Sequence, residues 1–329
     1  MQLIKIKFVD FWYGFAPDNN YFFKLLSTFY KIELSDEPDF IIYSCFGKEY
    51  LKYSCLRVFY TAERLSADYT GCDFALTFDY SNDKRHFRFP LYGIYIDQAG
   101  SIEQLQKQKT REEALMIWKS KTKFCCLVVS NGGSRKRIDF FHELSTHKTV
   151  DSGGGILNNV GGQVKDKMAF IKDYRFVIAY ENQSYPGYTT EKIVEPFLAD
   201  SIPLYWGNSL VEKDFNKASF LNRHDFLSES DFINRILTIN DNEDLAVEML
   251  LQPVFKENII PEEIDKLKLL AFFIKVVASL NSDYVPVAKT WKSYIHALMI
   301  RVQWCISLGS FYFNRLRQRK FTSKLFEFR

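Results

Sequence analysis

The sequence predicts an α/β protein built from two Rossmann-like halves, and three observations carry that prediction. Apolar runs of strand length alternate with helix-length stretches along most of the chain, the pattern of mostly parallel sheets covered on both faces. The alternation stops in a polar stretch at residues 98–122 and then starts again. The length, 329 residues, is about twice that of an ordinary domain of ~150 residues.

The first series opens with Leu3–Asp10, whose apolar and polar residues alternate as in a strand. Tyr21–Phe29 reads as a helix, Phe40–Cys45 and Leu56–Tyr60 as buried strands, and Phe74–Thr77 and Leu91–Tyr95 as further short strands. Gln98–Thr122, rich in helix formers and free of proline, is expected to be a surface helical excursion between domains. The second series begins with Phe124–Ser130, a buried strand, followed by the turn Asn131-Gly132-Gly133-Ser134 and a helix from Arg135 to Thr146. Val150–Asp151 leads into the loop Gly153-Gly154-Gly155, and the strand Tyr174–Tyr180, a helix from Thr190 to Asp200 and the strand Ile202–Trp206 follow. The expected domains are 1–123, 124–280 and 281–329. Ligands of such sheets bind outside the carboxyl ends of the strands, so the loops after Ser130, Tyr180 and Trp206 are where chemistry is expected.

Composition narrows the class. With 31 Phe, 19 Tyr and 5 Trp the chain has a large aromatic core and spare rings for planar or sugar ligands. The net charge of +3 is an average: Arg301 to Arg329 holds seven Lys or Arg and one acid, so this tail is +6 and residues 1–300 carry −3. A near-neutral body argues against a nucleic-acid partner. The cysteines at 45, 55, 72, 125, 126 and 305 lack paired spacing, which suits a reducing compartment. Met1–Phe11 has no continuous apolar stretch of the signal-peptide kind, and a cytoplasmic location is expected. In the tail, apolar residues at 291, 294, 295, 298, 299, 302, 305 and 306 form a helical stripe. Beyond it, Phe311–Phe328 interleaves rings with Arg315, Arg317, Arg319, Lys320 and Lys324. Amphipathic basic helices there are expected to hold the protein peripherally on the anionic inner membrane.

The densest candidate for chemistry is Ala179–Glu195. A strand ends, Pro186-Gly187 turns the chain, and Thr189 or Thr190 caps a helix whose first turn holds Glu191 and Lys192. Amides at a helix start together with a lysine form an anion cradle; an ordinary capped helix with a solvated lysine is the alternative.

The runs Tyr180-Glu181-Asn182, Gly187-Tyr188-Thr189-Thr190-Glu191-Lys192-Ile193, Ile202-Pro203-Leu204-Tyr205-Trp206-Gly207 and Phe220-Leu221-Asn222 together resemble the donor-binding signature of the α1,3/4-fucosyltransferases of glycosyltransferase family 10, roughly FEN, YxTEK, IPxYxG and FI/V-N. Arg57–Glu63 resembles the segment that carries the family's proposed general base, and Val150–Gly155 its glycine-rich loop. The resemblance covers about residues 35–230 and departs at Ala62 and Arg64, where bacterial members often have Gly and Asn.

The resemblance implies a GT-B fold, two Rossmann-like domains facing across a cleft. It also implies transfer of L-fucose from GDP-fucose, with inversion, to the 3-hydroxyl of GlcNAc in a lactosamine-type glycan. Glu63 is then the base; read from the residues alone, a surface acid paired with Arg57 or Arg64 is the preferred reading. Arg137 and Lys192 are implied to hold the diphosphate, with Arg135 and Lys136 as local competitors. Glu191 accepts from ribose or fucose hydroxyls, and Asn182 and Tyr188 complete the donor pocket. No metal-ligand motif is present, so no cofactor is expected to be essential, although Mn or Mg could stimulate. Another GT-B glycosyltransferase with a different donor, or an inactive glycan-binding protein, fits the same pattern.

Overall fold

The computed structural model describes residues 1–302, which form two compact units. The first comprises Met1–Tyr60, Ala67–Leu76 and the chain from Phe273 on; the second comprises Thr61–Ser66 and Thr77–Phe272. The boundaries expected at 123 and 280 therefore differ from the observed division. Residues 77–123 fold with the second unit because Leu105, Ala114 and Trp118 are buried in its cores. The chain after Phe273 rejoins the first: the Asp73 carboxylate accepts from the Val287 amide at 2.6 Å and the Tyr284 hydroxyl at 3.1 Å.

The first unit holds strands β1 (Leu3–Val9), β2 (Lys31–Leu34), β3 (Phe40–Tyr43), β4 (Leu56–Tyr60) and all but the last residue of β5 (Phe74–Thr77). They pair in parallel in the order β2-β1-β3-β4-β5. β3, β4 and β5 are buried throughout, as central parallel strands should be. β2 was not expected, since its charged, mostly exposed residues lack a strand's apolar alternation; it forms at the sheet edge. Helix α1 (Tyr21–Ser27) is capped by Asn20, whose side chain accepts from the Phe23 amide at 3.0 Å.

Residues 291–302 are helical. Their His296 lies 2.7 Å from the Tyr50 hydroxyl through Nε2 and 2.9 Å from Asp68 through Nδ1. The expected tail Phe311–Phe328 lies outside the described residues. Among those residues no helix is long and apolar enough to cross a membrane.

The second unit holds β6 (His86–Arg88), β7 (Lys123–Leu127), β8 (Val150–Ser152), β9 (Tyr174–Tyr180), β10 (Ile202–Trp206) and β11 (Leu221–Asn222). Its sheet runs β11-β10-β9-β7-β8, all parallel. Its helices are α2 (Leu91–Gln98), α3 (Ile102–Gln106), α4 (Arg111–Ser120), α5 (Arg135–His147), α6 (Lys167–Ile171), α7 (Glu191–Leu198), α8 (Glu229–Asp241) and α9 (Glu243–Leu250), with α10 (Lys266–Leu280) spanning the division at Phe272.

Two expectations need correction here. Leu91–Tyr95 is the start of α2, not a strand. Pro90 sets an extended N-cap, and Tyr92 and Ile96, four residues apart, share the buried side, so helical spacing prevails over a run too short to decide by itself. The stretch expected as a surface excursion is α3 and α4, and Ala114 and Trp118 on α4 belong to the core.

Lys121 follows α4 into this core and is nearly inaccessible. Its Nζ donates to the Lys172 carbonyl at 2.8 Å, the Ala199 carbonyl at 2.8 Å and Ser201 Oγ at 3.1 Å. Burial pulls its pKa down to about 8 from the ordinary 10.5. Between these values the folded state binds fewer protons than the unfolded one, so this group makes stability rise with pH. Lys121→Met is expected to lose that rise: in chemical denaturation between pH 8 and 10.5, the stability difference between wild type and variant should shift in wild type's favour as pH increases.

Candidate functional site

The loops after β7, β9 and β10 bring the candidate residues into one neighbourhood of the second unit. β9 ends at Tyr180, and the next residue, Glu181, is fully buried. Its two carboxylate oxygens accept from the Thr190 amide and the Thr190 hydroxyl, each at 2.7 Å. This ties the end of β9 to the start of α7, where Thr190 is the N-cap. Gly207 after β10 makes the space: a Cβ there would stand 2.4 Å from Glu181 Cγ.

Lys192, in the first turn of α7, has Nζ 3.0 Å from Thr190 Oγ1, 3.2 Å from Glu191 and 3.5 Å from Glu181. Burial works against its charge, but Glu181 and Glu191 outweigh it and raise its pKa above the ordinary lysine value. Burial raises the pKa of Glu181 despite Lys192. For Glu191 burial also pushes upward, yet Lys192 and the helix start bring the net shift below the usual value. The lysine is therefore held by two carboxylates and only partly exposed, unlike the freely solvated side chain of an ordinary capped helix.

Arg137, on the first turn of α5, is only 1% exposed. Its guanidinium donates to the Tyr180 carbonyl at 3.0 Å, the Asn131 carbonyl at 3.2 Å and Asn182 Oδ1 at 2.7 Å. It forms no ion pair among the described residues; burial lowers its pKa, and the nearby Glu181, Tyr188 and Glu191 only partly offset that. Its neighbours behave differently: Arg135 is exposed and faces Asp139 on its own helix at 3.5 Å, while Lys136 pairs with Glu229 at 2.6 Å. Arg137 is thus separated from both by burial.

Tyr188 is buried, with its ring 4.8 Å from that of Phe78. Burial raises its pKa, and the carboxylates of Glu181, Glu63 and Glu191 add to the shift while Arg137 opposes it. The turn before it requires Gly187, which has φ +90°, and a Cβ there would lie 2.0 Å from the Phe78 carbonyl oxygen. The turn is further fixed by Asn208 Oδ1, which accepts from the Gly187 amide at 2.7 Å, and by Arg88, which donates to the Gly187 carbonyl at 3.4 Å. Arg88 is itself clamped by Asp214 through contacts of 2.9 and 2.6 Å.

Glu63 is exposed in the segment Thr61–Ser66. Its amide donates to Thr61 Oγ1 at 2.9 Å, and its carboxylate has no hydrogen bond or ion pair among the described residues. Arg57, an expected alternative partner, points elsewhere: it donates to the Tyr53 carbonyl at 2.9 Å and Ser293 Oγ at 3.0 Å. Arg64 turns to Gln183 at 2.8 Å. Glu63, Arg64, Leu65, Ser66, Gln183 and Tyr185 line a cavity of about 530 Å³.

Two residues were missed as site candidates. Glu181 stood inside the quoted motif, and its signal was the pairing of an acid at a strand end with a capping threonine and a glycine after the next strand. Asn208 carried no local signal. The glycine-rich loop packs on protein: a Cβ on Gly154 would meet the Val129 carbonyl oxygen at 2.0 Å. Among the described residues no group of three or more His, Cys, Asp or Glu is arranged to hold a metal ion.

Two family models match the chain: the alpha-(1,3)-fucosyltransferase FucT N-terminal domain over residues 6–95, and the glycosyltransferase family 10 (fucosyltransferase) C-terminal model over residues 118–250. An alpha-(1,3)-fucosyltransferase FucT of Helicobacter pylori is 30% identical over 71% of this chain and 56% of its own length. A putative fucosyltransferase of Acanthamoeba polyphaga mimivirus is 34% identical over 42% of this chain and 25% of its own length. The chain thus spans about half or less of the length of these relatives. A crystal structure of an alpha1,3-fucosyltransferase with GDP-fucose superposes with a TM-score of 0.71 at 26% identity, covering 87% of this chain and 93% of that one.

Proposed function

The chain belongs to glycosyltransferase family 10, has the family's GT-B class of fold with two parallel sheets, and, we propose, transfers L-fucose from GDP-fucose to an acceptor hydroxyl as an α1,3-fucosyltransferase. The observation that carries the proposal is Arg137: a buried guanidinium whose hydrogen bonds run only to neutral oxygens, with no ion pair among the described residues and with Glu181 and Glu191 acting on it only at a distance. A buried charge without a directly bonded anion is costly, and a diphosphate would supply that direct partner. The Arg fork gives it two parallel donors and Lys192 a point charge.

In the proposed reaction the acceptor oxygen attacks the anomeric carbon of fucose from the face opposite GDP. The carbon–oxygen bond to the β-phosphate breaks, its electron pair leaves with GDP, and the configuration inverts. Glu63 takes the proton of the attacking hydroxyl; its unpartnered carboxylate is available for that task. Arg137 and Lys192 stabilise the charge that develops on the diphosphate. Asn182, oriented by Arg137, and Tyr188 border the donor, and Glu191 accepts from a sugar hydroxyl. The acceptor we propose is the 3-hydroxyl of GlcNAc in a lactosamine-type glycan, giving a Lewis x-like product.

Donor competition tests this reading. Calorimetric titration is expected to show GDP binding more tightly than UDP, and tighter binding of UDP overturns the donor assignment.

A further inference from the structure

We infer that Arg64 is a positioning residue that fixes the segment bearing Glu63 against the loop bearing Asn182 and Tyr188. The inference rests on the proposed reading of Glu63 as the base. The carboxylate of Glu63 has no hydrogen-bond or ion-pair partner among the described residues; only its backbone is tied, the amide to Thr61 Oγ1 at 2.9 Å and the carbonyl to the Leu65 amide at 2.7 Å, both within the segment itself. Orientation must come from its neighbours in the segment.

Arg64 supplies most of it. Its guanidinium donates to Gln183 Oε1 at 2.8 Å and lies 4.9 Å from the centroid of the Tyr185 ring. The Tyr185 hydroxyl in turn donates to Asp79 at 2.7 Å and meets Ser66 Oγ at 3.4 Å. The platform that Arg64 rests on is therefore itself held.

The other end of the connection is the buried cation. Gln183 follows Asn182, whose side-chain oxygen accepts from Arg137 at 2.7 Å. Two hydrogen bonds and one peptide link thus join the guanidinium proposed to hold the diphosphate to the residue beside the proposed base. In-line displacement requires attacking oxygen, anomeric carbon and leaving oxygen to align, and a misplacement of about 1 Å costs up to about 100-fold in rate. Arg64 ties together the two segments whose spacing sets that alignment. A lysine would keep the charge and lose the plane that stacks on Tyr185.

Arg64 is exposed, and surface substitutions of this kind change stability little, so its removal reads out in register and rate instead of in folding. Arg64→Ala and Gln183→Ala are each expected to speed amide hydrogen exchange across residues 61–66 in the free protein. With GDP-fucose and N-acetyllactosamine, each is expected to lower kcat about 10- to 100-fold while the KM for GDP-fucose stays within about twofold of wild type. The double variant should be no slower than the slower single one, and Arg64→Lys should stay well below wild type.

Unchanged exchange at 61–66 in Arg64→Ala overturns the inference, as do losses that multiply in the double variant. The base assignment fails separately. If Glu63→Gln transfers at the wild-type rate while Arg64→Ala still loosens 61–66, the role of Glu63 is wrong and the register of the two segments stands.

Discussion

Glu63→Gln is expected to lower kcat by about 10² to 10⁴-fold while GDP affinity and thermal stability stay at wild-type values. The amide has the size of the carboxylate but cannot take the acceptor proton. Stability should hold because Glu63 is exposed and its carboxylate forms no ion pair among the described residues, so no buried partner is stranded. Affinity should hold because the contacts of Arg137 run to Tyr180, Asn131 and Asn182, and those of Lys192 to Thr190, Glu191 and Glu181. Initial rates with calorimetry of GDP on the same preparation check both halves. A variant that turns over at the wild-type rate removes Glu63 from the mechanism, and one that turns over slowly but no longer binds GDP shows a structural role.

Arg137→Met is expected to weaken the nucleotide as well as slow the chemical step, unlike Glu63→Gln, which leaves GDP affinity unchanged. A charge-assisted hydrogen bond contributes about 1.5–3 kcal/mol, so removing the guanidinium should weaken GDP about 10- to 150-fold. The consequence is visible without an acceptor. A ligand at 100 times its Kd stabilises the folded state by ~2.7 kcal/mol; at the same concentration a 100-fold weaker Kd leaves ~0.4 kcal/mol. GDP should therefore raise the melting temperature of wild type by several degrees and barely move the variant. Arg135→Met is the control, since Arg135 is exposed and faces Asp139. If both variants respond to GDP like wild type, the buried cation does not hold the diphosphate.

What could be read from the sequence depended on how local the determinant was. β4, β9 and β10 were legible to the residue, because each is a continuous apolar run bounded by polar or turn-forming neighbours. The start of α2 was not, because five apolar residues fit either period and only the packing of Tyr92 and Ile96 decides. β2 escaped notice because an edge strand has no need of apolar alternation. At the site, Arg137 was chosen over Arg135 and Lys136 through the family resemblance alone, and burial now distinguishes it. Glu181 went unassigned because its function depends on Thr190 and Gly207, brought to it by β10 and α7 and not by any spacing near it. The membership of Thr61–Ser66 in the second unit was likewise hidden, since the contacts of Arg64 and Ser66 lie 119 residues away in the chain.

Fucosyl transfer from GDP-fucose is tested most directly by one incubation: purified protein, GDP-fucose and N-acetyllactosamine, followed by linkage analysis of the glycan and quantification of the nucleotide. The expected result is fucose in α1,3 linkage on GlcNAc with one GDP released per product. Intact GDP-fucose alongside consumption of a different nucleotide sugar under the same conditions would contradict the account.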